Sequence, residues 1–136
     1  IAVIIDVVFN HATGLHPYAK MWWNSGANKT ASNNPFFNVD APHNFSVFHD
    51  FNHTYSETVK FFDEVLTFWL EEYKVDGFRF DLMGLHDLET MQEVESAVHA
   101  VNPNAIIYGE GWTMGATIDG SAQANQSNEG VLSLLQ

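Results

Sequence analysis

The sequence predicts an α/β fold built on a parallel sheet, and three observations support this prediction. Residues 1–9 are a nearly continuous β-branched run, which is typical of a strand buried on both faces. Two further strand-like segments, 75–82 and 105–110, each follow a segment with helical periodicity. Strands that alternate with helices in this order favour parallel crossovers within one sheet.

The strand at 75–82 alternates with period two. Val75, Gly77, Arg79 and Asp81 share one side, and Asp76, Phe78, Phe80 and Leu82 share the other. The strand at 105–110 places Ile106, Tyr108 and Glu110 on one face. A charged pair, Arg79 and Asp81, therefore ends a strand whose opposite side is bulky and apolar. Such a pair is costly to keep unless it is used.

Two helices are predicted between the strands. The first follows a capping-box spacing of Thr54 and Glu57 and extends over about five turns, with apolar residues at helical spacing: Val59, Phe62, Leu66, Trp69 and Tyr73. A glycine turn over residues 82–87 leads to the second helix. That helix has Asp87 as N-cap, Asn102 and Pro103 as its stop, and an apolar stripe: Leu88, Met91, Val94, Val98 and Val101. A short apolar segment, 131–135, predicts the start of another helix.

Residues 12–53 have no sustained periodicity, little charge and many Asn, His, Pro and aromatic residues. A connection of this length inside a compact domain is usually either functional or disordered. Its aromatic content predicts ordered packing, because disordered segments are poor in aromatic residues. We interpret 12–53 as a small irregular subdomain inserted after the first strand.

Composition limits the classes of function. The formal net charge of −12 disfavours nucleic acid and anionic lipid as partners, and no apolar run approaches the length of a membrane span. The absence of cysteine excludes a disulfide framework, a thiolate zinc site and a cysteine nucleophile. The chain lacks an initiator Met and enters a strand pattern at once, which predicts a piece of a longer protein.

Each predicted strand ends in polar residues, and a parallel sheet brings such ends to one edge, where α/β folds bind ligands. These residues are Asp6, Asn10 and His11 on the first strand, Arg79 and Asp81 on the second, and Glu110 on the third. If the last two strands are neighbours, the carboxyls of Asp81 and Glu110 are expected roughly 5 Å apart, as in a retaining glycosidase. The spacing alone is equally consistent with an alternative in which these acids are only solvated strand ends or members of structural ion pairs.

Arg79 suggests a division of roles between the two acids. Its cation favours the ionised form of Asp81, which suits a nucleophile. Glu110 has no basic neighbour in sequence, and an apolar surrounding would favour its protonated form, which suits a general acid.

Three motifs resemble, in order, signature regions of the α-amylase superfamily, glycoside hydrolase family thirteen. They are residues 6–11 (DVVFNH), 77–81 (GFRFD) and 108–110 (YGE). The resemblance implies a (β/α)8 TIM barrel, of which residues 1–136 cover about strands three to five. It also implies a retaining hydrolase of α-glucans such as starch, glycogen or pullulan, which needs no cofactor for its chemistry.

The same resemblance implies roles for individual residues. Asp81 is the nucleophile and Glu110 the general acid/base, while His11 and Arg79 bind the sugar. Asp6 holds the first motif in place, and Asn10 is a potential ligand of a structural calcium. We also place His86 and Trp112 with the substrate-binding residues, with capping of the turn as the alternative for His86.

Two sets of motifs in the sequence indicate different glycosidic bonds as the one that is cut. Residues 81–87 (DLMGLHD) and 108–112 (YGEGW) resemble type I pullulanases, which cut α-1,6 links. Residues 34–39 (NPFFNV) and 48–53 (FHDFNH) resemble bacterial α-amylases, which cut α-1,4 links. We favour debranching because the turn after Asp81 lies closer to the cleft.

Other functions are weaker candidates. A non-catalytic glucan-binding or scaffold protein would not need Asp81, Glu110 and Arg79 intact. The histidines lack the i, i+4 spacing of a helical metal site, so transition-metal catalysis is disfavoured. Four aromatic residues of the inserted segment fit packing better than sugar stacking: Trp22, Trp23, Phe36 and Phe37. Since the fourth signature region with its third carboxylate is not within the sequence, and three strands cannot close a barrel, the segment alone is predicted to be inactive.

Overall fold

The computed structural model of the chain describes residues 1–118 and 120–128. The predicted helix at 131–135 lies outside the described residues. The main strands and helices, in chain order, are β1 (Ile4–Val7), β2 (His11–Ala12), α1 (Pro17–Met21), β3 (Trp23–Asn24), β4 (Lys29–Thr30), β5 (His49–Asp50), α2 (Ser56–Tyr73), β6 (Gly77–Phe80), α3 (Leu88–Val101) and β7 (Ile106–Gly109). Short 3-10 helices lie at Met83–Leu85 and Gln126–Asn128. In the described part of the chain, no helix combines the length and apolarity needed to cross a bilayer.

The strands β1, β6 and β7 form a parallel sheet in the order β1-β6-β7, which confirms the predicted parallel α/β arrangement. In its register, Ile4 lies opposite Gly77, and Gly77 lies opposite Ile106. The helices α2 and α3 connect these strands and pack against each other. The two predicted helix-to-strand units are therefore present, and they bring the carboxyl ends of the three strands to one edge.

The hydrophobic core lies between the sheet and the two long helices. Phe78 and Phe80 are fully buried, as the period-two pattern of their strand predicted. They belong to one cluster with Phe62 of α2 and Val94 of α3. Burial of each such side chain contributes about 1.5–3 kcal/mol. This core determines the position of β6, which contains Arg79 and leads directly to Asp81.

The first strand is less buried than predicted. Its expected burial on both faces is wrong, because Asp6 is exposed and Ile4 and Ile5 are only half-buried. Within the described residues, β1 pairs with β6 alone in the main sheet and leaves its other side open.

The start of α2 also differs from the prediction. The helix begins at Ser56 with Tyr55 as N-cap and no side-chain cap, so the predicted capping box is wrong. Thr54 instead donates its hydroxyl to Asn52 Oδ1 at 2.6 Å. The buried face is rotated from the predicted stripe and consists of Thr58, Phe62, Leu66 and Leu70. Helix α3 begins and ends as predicted, from Leu88 after Asp87 to Val101 before Asn102.

The segment 12–53 consists of short elements held together by aromatic contacts. The rings of Tyr18 and Phe36 stack at 4.2 Å, and those of Phe37 and Phe51 also stack at 4.2 Å. Phe51 in turn meets Phe62 of α2 edge-on at 5.3 Å. These contacts attach the segment to α2, the helix that precedes β6, and they make packing the observed environment of Phe36 and Phe37.

Asp63 leads to a prediction about stability. It lies on α2 near Glu93 of α3, and burial, followed by the charge of Glu93, raises its pKa to about 6. Its Oδ1 is buried with no hydrogen-bond partner. Because the folded-state pKa lies above the unfolded value of 3.8, the folded state binds this proton more tightly. The contribution to stability is complete below the unfolded value and is lost as pH rises through about 6.

We therefore expect Asp63→Asn to stabilise the full-length protein at about pH 8 and to have little effect at about pH 4. Because Asp63 is partly exposed, solvent screening limits the gain to on the order of 1 kcal/mol. Urea unfolding at both pH values measures it, with the exposed Glu71→Gln on the same helix as control. An equal change at both pH values would contradict the assigned cause.

Candidate active site

The parallel sheet brings four charged side chains to the carboxyl ends of its strands. Asp6 and Arg79 lie opposite each other in the register of β1 and β6. The ladder continues past the strands, since Asp81 N donates to Val7 O and Glu110 N donates to Phe80 O, both at 2.9 Å. Asp81 and Glu110 thus stand at the ends of adjacent strands. The pairing of β6 with β7 confirms that the two strands are neighbours, which is the condition for the predicted closeness of the Asp81 and Glu110 carboxyls.

Arg79 joins these acids through one guanidinium group. Its Nη1 lies 3.0 Å from Asp6 Oδ1 and 2.9 Å from Asp81 Oδ1, and its Nη2 lies 3.8 Å from Glu110 Oε2. Hydrogen bonds to Asp6, then to Asp81, raise the pKa of Arg79, so it remains charged. One cation therefore faces three carboxylates, with hydrogen bonds to Asp6 and Asp81 and a longer separation from Glu110.

The surroundings of Glu110 differ from the prediction. Its side chain is 19% exposed, and Oε2 accepts a hydrogen bond from Leu82 N at 3.2 Å. The expected apolar surrounding without a basic partner is wrong, because Arg79 of the adjacent strand faces the carboxylate. Glu110 therefore lies between the Arg79 guanidinium and the backbone N–H of Leu82.

The amide that faces Glu110 belongs to a strained turn. Leu82 has a left-handed backbone with φ 52°, a conformation that costs an L residue roughly 1–2 kcal/mol. Gly84, in contrast, is required by a close approach, since an added Cβ would lie 2.2 Å from Trp112 O. The turn predicted at 82–87 exists, but its left-handed residue is Leu82. No sequence signal identifies Leu82, because leucine does not favour this conformation.

His11 is brought to the same edge. It begins β2, opposite Asp50 of β5, and its Nδ1 lies 3.3 Å from Asn10 Nδ2. Burial lowers its pKa, while the negative charges of Asp81 and Asp50 act in the opposite direction. His11 is therefore a partly buried group within electrostatic reach of Asp81, and its sugar-binding role stays a prediction.

His86 lies in a buried environment beside His53 and Met91. Its ring is buried, with Nδ1 3.3 Å from Met91 Sδ and its centroid 4.6 Å from that of His53. Burial, and then the neighbouring histidines, lower its pKa well below the ordinary value. Its backbone N–H closes the 3-10 helix through Met83 O, which matches the alternative of a turn cap. His86 is buried, and its contact with substrate stays a prediction.

Trp112 and Asn10 differ in their exposure. Trp112 is exposed, with its carbonyl against Gly84, and its contact with substrate stays a prediction. Asn10 is fully buried, and its Oδ1 has no hydrogen-bond partner. An unpaired amide oxygen fits one position in a calcium shell, and calcium at Asn10 also stays a prediction. Among the described residues, no group of three or more His, Asp or Glu side chains is placed to hold a metal ion.

Comparison with known proteins identifies relatives of this chain. No protein-family model matches it. The pullulanase of Bacillus subtilis is 35% identical over 130 residues, which are 93% of this chain and 17% of that protein. The pullulanase of Klebsiella pneumoniae is 30% identical over 118 residues, 81% of this chain and 10% of that protein.

A solved structure extends the similarity to the fold. The pullulanase of Anoxybacillus sp. LM18-11, complexed with maltotetraose, superposes with a TM-score of 0.78 at 30% identity, over 99% of this chain and 19% of that one. The chain therefore spans only a small part of the length of these relatives. Its curated and structural neighbours are pullulanases, members of the α-amylase family.

Proposed function

We propose that this chain is part of the catalytic (β/α)8 barrel of an α-glucan hydrolase. On this proposal residues 1–136 belong to one domain, cover about strands three to five, and carry 12–53 as an inserted subdomain. Support comes from the parallel order β1-β6-β7 and from the similarity to pullulanases. The observation that carries the proposal is the contact of one guanidinium, that of Arg79, with both Asp81 and Glu110.

The proposed reaction is retaining hydrolysis in two steps. In the first, an Asp81 carboxylate oxygen attacks the anomeric carbon, the glycosidic C–O bond breaks, and Glu110 gives its proton to the departing oxygen. In the second, Glu110 takes a proton from water, whose oxygen attacks the same carbon and releases Asp81. Arg79 donates a hydrogen bond to Asp81 Oδ1 and holds this oxygen in position, and His11 and Arg79 bind the sugar.

The proposed substrate class is α-glucan, with α-1,6 debranching as the favoured activity. Solved pullulanases complexed with maltose and with maltotetraose are structural neighbours of the chain. Residues 81–87 form the turn whose Leu82 amide faces Glu110, so the motif that resembles debranching enzymes contacts the proposed acid. Cleavage of α-1,4 links is the second candidate, since residues 48–53 contain β5, which pairs with β2 beside the site.

The test uses the full-length protein on pullulan and on amylose, with Glu110→Gln beside it. Debranching predicts release of maltotriose from pullulan, little product from amylose, and loss of both with the variant. Product from amylose alone would replace debranching by α-1,4 cleavage. If the protein hydrolyses neither glucan, or if the Gln variant keeps full activity, the enzymatic proposal fails and a glucan-binding protein is the better account.

A further inference from the structure

Phe48 combines a strained backbone with an exposed side chain. Its φ is 49°, in the left-handed region that bulky L residues rarely adopt, and its side chain is 69% exposed. A strained conformation of this kind persists only where the surrounding structure imposes it, and such residues cluster at ligand-binding sites. Burial of the ring does not account for the left-handed conformation of Phe48, because the ring lies mostly in solvent.

The position of Phe48 places this ring beside the candidate active site. Phe48 immediately precedes β5, which is paired with β2 so that Asp50 lies opposite His11. The centroid of the Phe48 ring is 5.7 Å from that of His11. The charge of Asp81 raises the pKa of His11, so the ring of Phe48 contacts a residue that is within electrostatic reach of the proposed nucleophile.

Four other aromatic residues of the inserted segment do not offer a comparable surface. Tyr18 stacks on Phe36, and Phe37 stacks on Phe51, so these rings are engaged with one another. The groups at the sheet edge, in contrast, are charged and present hydrogen-bonding atoms. Phe48 therefore supplies an aromatic face next to a polar site, and that combination fixes the orientation of a ligand.

We propose that Phe48 is a sugar-stacking residue, whose ring packs against the C–H face of a glucose unit of an α-glucan bound at Asp81 and Glu110. A pyranose ring has apolar C–H faces and a rim of hydroxyls. Its face suits an aromatic ring, while its rim suits Arg79 and His11. The inference rests on the proposed function and extends it to a residue outside the three signature motifs at 6–11, 77–81 and 108–110. The left-handed backbone turns the ring out of the packed aromatic cluster and towards the ligand.

The test measures kinetics and binding in the full-length protein with Phe48→Ala and Phe48→Tyr. We expect Phe48→Ala to raise KM on the hydrolysed glucan about fivefold with kcat changed less than about twofold, and Phe48→Tyr to restore the KM. Calorimetry with maltotetraose, in a Glu110→Gln background, should show the same loss of affinity. Phe45→Ala, which removes a 45% exposed aromatic side chain of the same segment, is the matched control and should leave KM unchanged.

The outcomes separate this inference from the proposed function. If the wild type hydrolyses a glucan and Phe48→Ala keeps its KM and affinity, stacking is wrong and the proposed function stands. A fall in kcat of Phe48→Ala without a change in KM would also overturn stacking, because support of His11 would then explain the role of Phe48. A Phe48→Leu variant that behaves like Phe48→Tyr would overturn it as well, because the size of the side chain would then suffice. If the wild type neither binds nor hydrolyses any glucan, the stacking role of Phe48 and the proposed function both fail. The melting temperature of Phe48→Ala should be unchanged, since the ring is exposed.

Discussion

Replacing Glu110 with Gln is expected to lower kcat on a polymeric α-glucan by about 10²–10⁴-fold. The amide has nearly the shape of the carboxyl, and its oxygen can still accept from Leu82 N, but it cannot transfer a proton. Asp81→Asn should have an effect at least as large, since it removes the nucleophile while keeping the size of the side chain. Initial rates of reducing-sugar release at saturating substrate measure both.

The alternative reading of these acids as structural ion pairs makes the opposite prediction. If Glu110 mainly balanced Arg79, its substitution would lower stability and leave kcat nearly unchanged. The separation of 3.8 Å between Arg79 Nη2 and Glu110 Oε2 indicates a weak pair, so we expect a stability change within about 1 kcal/mol. A large fall in melting temperature with normal kcat would therefore contradict the catalytic role.

Gly77→Ala is expected to destabilise the protein by about 3–5 kcal/mol, the largest stability effect that the sheet predicts. A Cβ at this position would lie 1.9 Å from Ile106 O and 2.8 Å from Ile106 N, both backbone atoms of the neighbouring strand. Neither atom can move without separating β6 from β7. Because β6 leads to Asp81 and β7 leads to Glu110, the same substitution should also reduce activity.

Urea unfolding of the full-length protein measures this effect. The matched control is Gly26→Ala, where the added Cβ would meet only Asn24 Oδ1 at 3.4 Å in an exposed turn, with an expected change within about 0.5 kcal/mol. Equal unfolding midpoints for the two variants would show that β6 and β7 do not approach as closely as the structure indicates.

The parts of the fold that were predicted correctly depend on local patterns. The alternation of Phe78 and Phe80 with polar residues identified the buried face of β6, and the helical spacing of Met91, Val94 and Val98 identified that of α3. The convergence of Asp81 and Glu110 followed from one rule, that parallel strands end at the same edge. These inferences need no knowledge of distant contacts.

The features that were missed depend on contacts between distant parts of the chain. Arg79 and Glu110 are brought together by the register of β6 and β7, which sequence spacing does not define. His86 is buried against His53, a residue of the inserted segment whose fold has no sequence periodicity. Leu82 adopts its left-handed conformation where the turn packs against Trp112 through Gly84. In each case tertiary structure overrides the local preference of the residue.

Trapping of the covalent intermediate would show whether Asp81 is the nucleophile of a retaining α-glucan hydrolase. The Glu110→Gln variant of the full-length protein would be incubated with α-maltotriosyl fluoride. Fluoride leaves with its bonding electrons and needs no proton from Glu110, so the bond from the Asp81 oxygen to the anomeric carbon can form. The intermediate then accumulates because no base activates water. We predict a maltotriosyl mass increment on the peptide that contains Asp81, absent when Asp81→Asn is added; consumption of the fluoride without an adduct, or an adduct on another residue, would contradict the account.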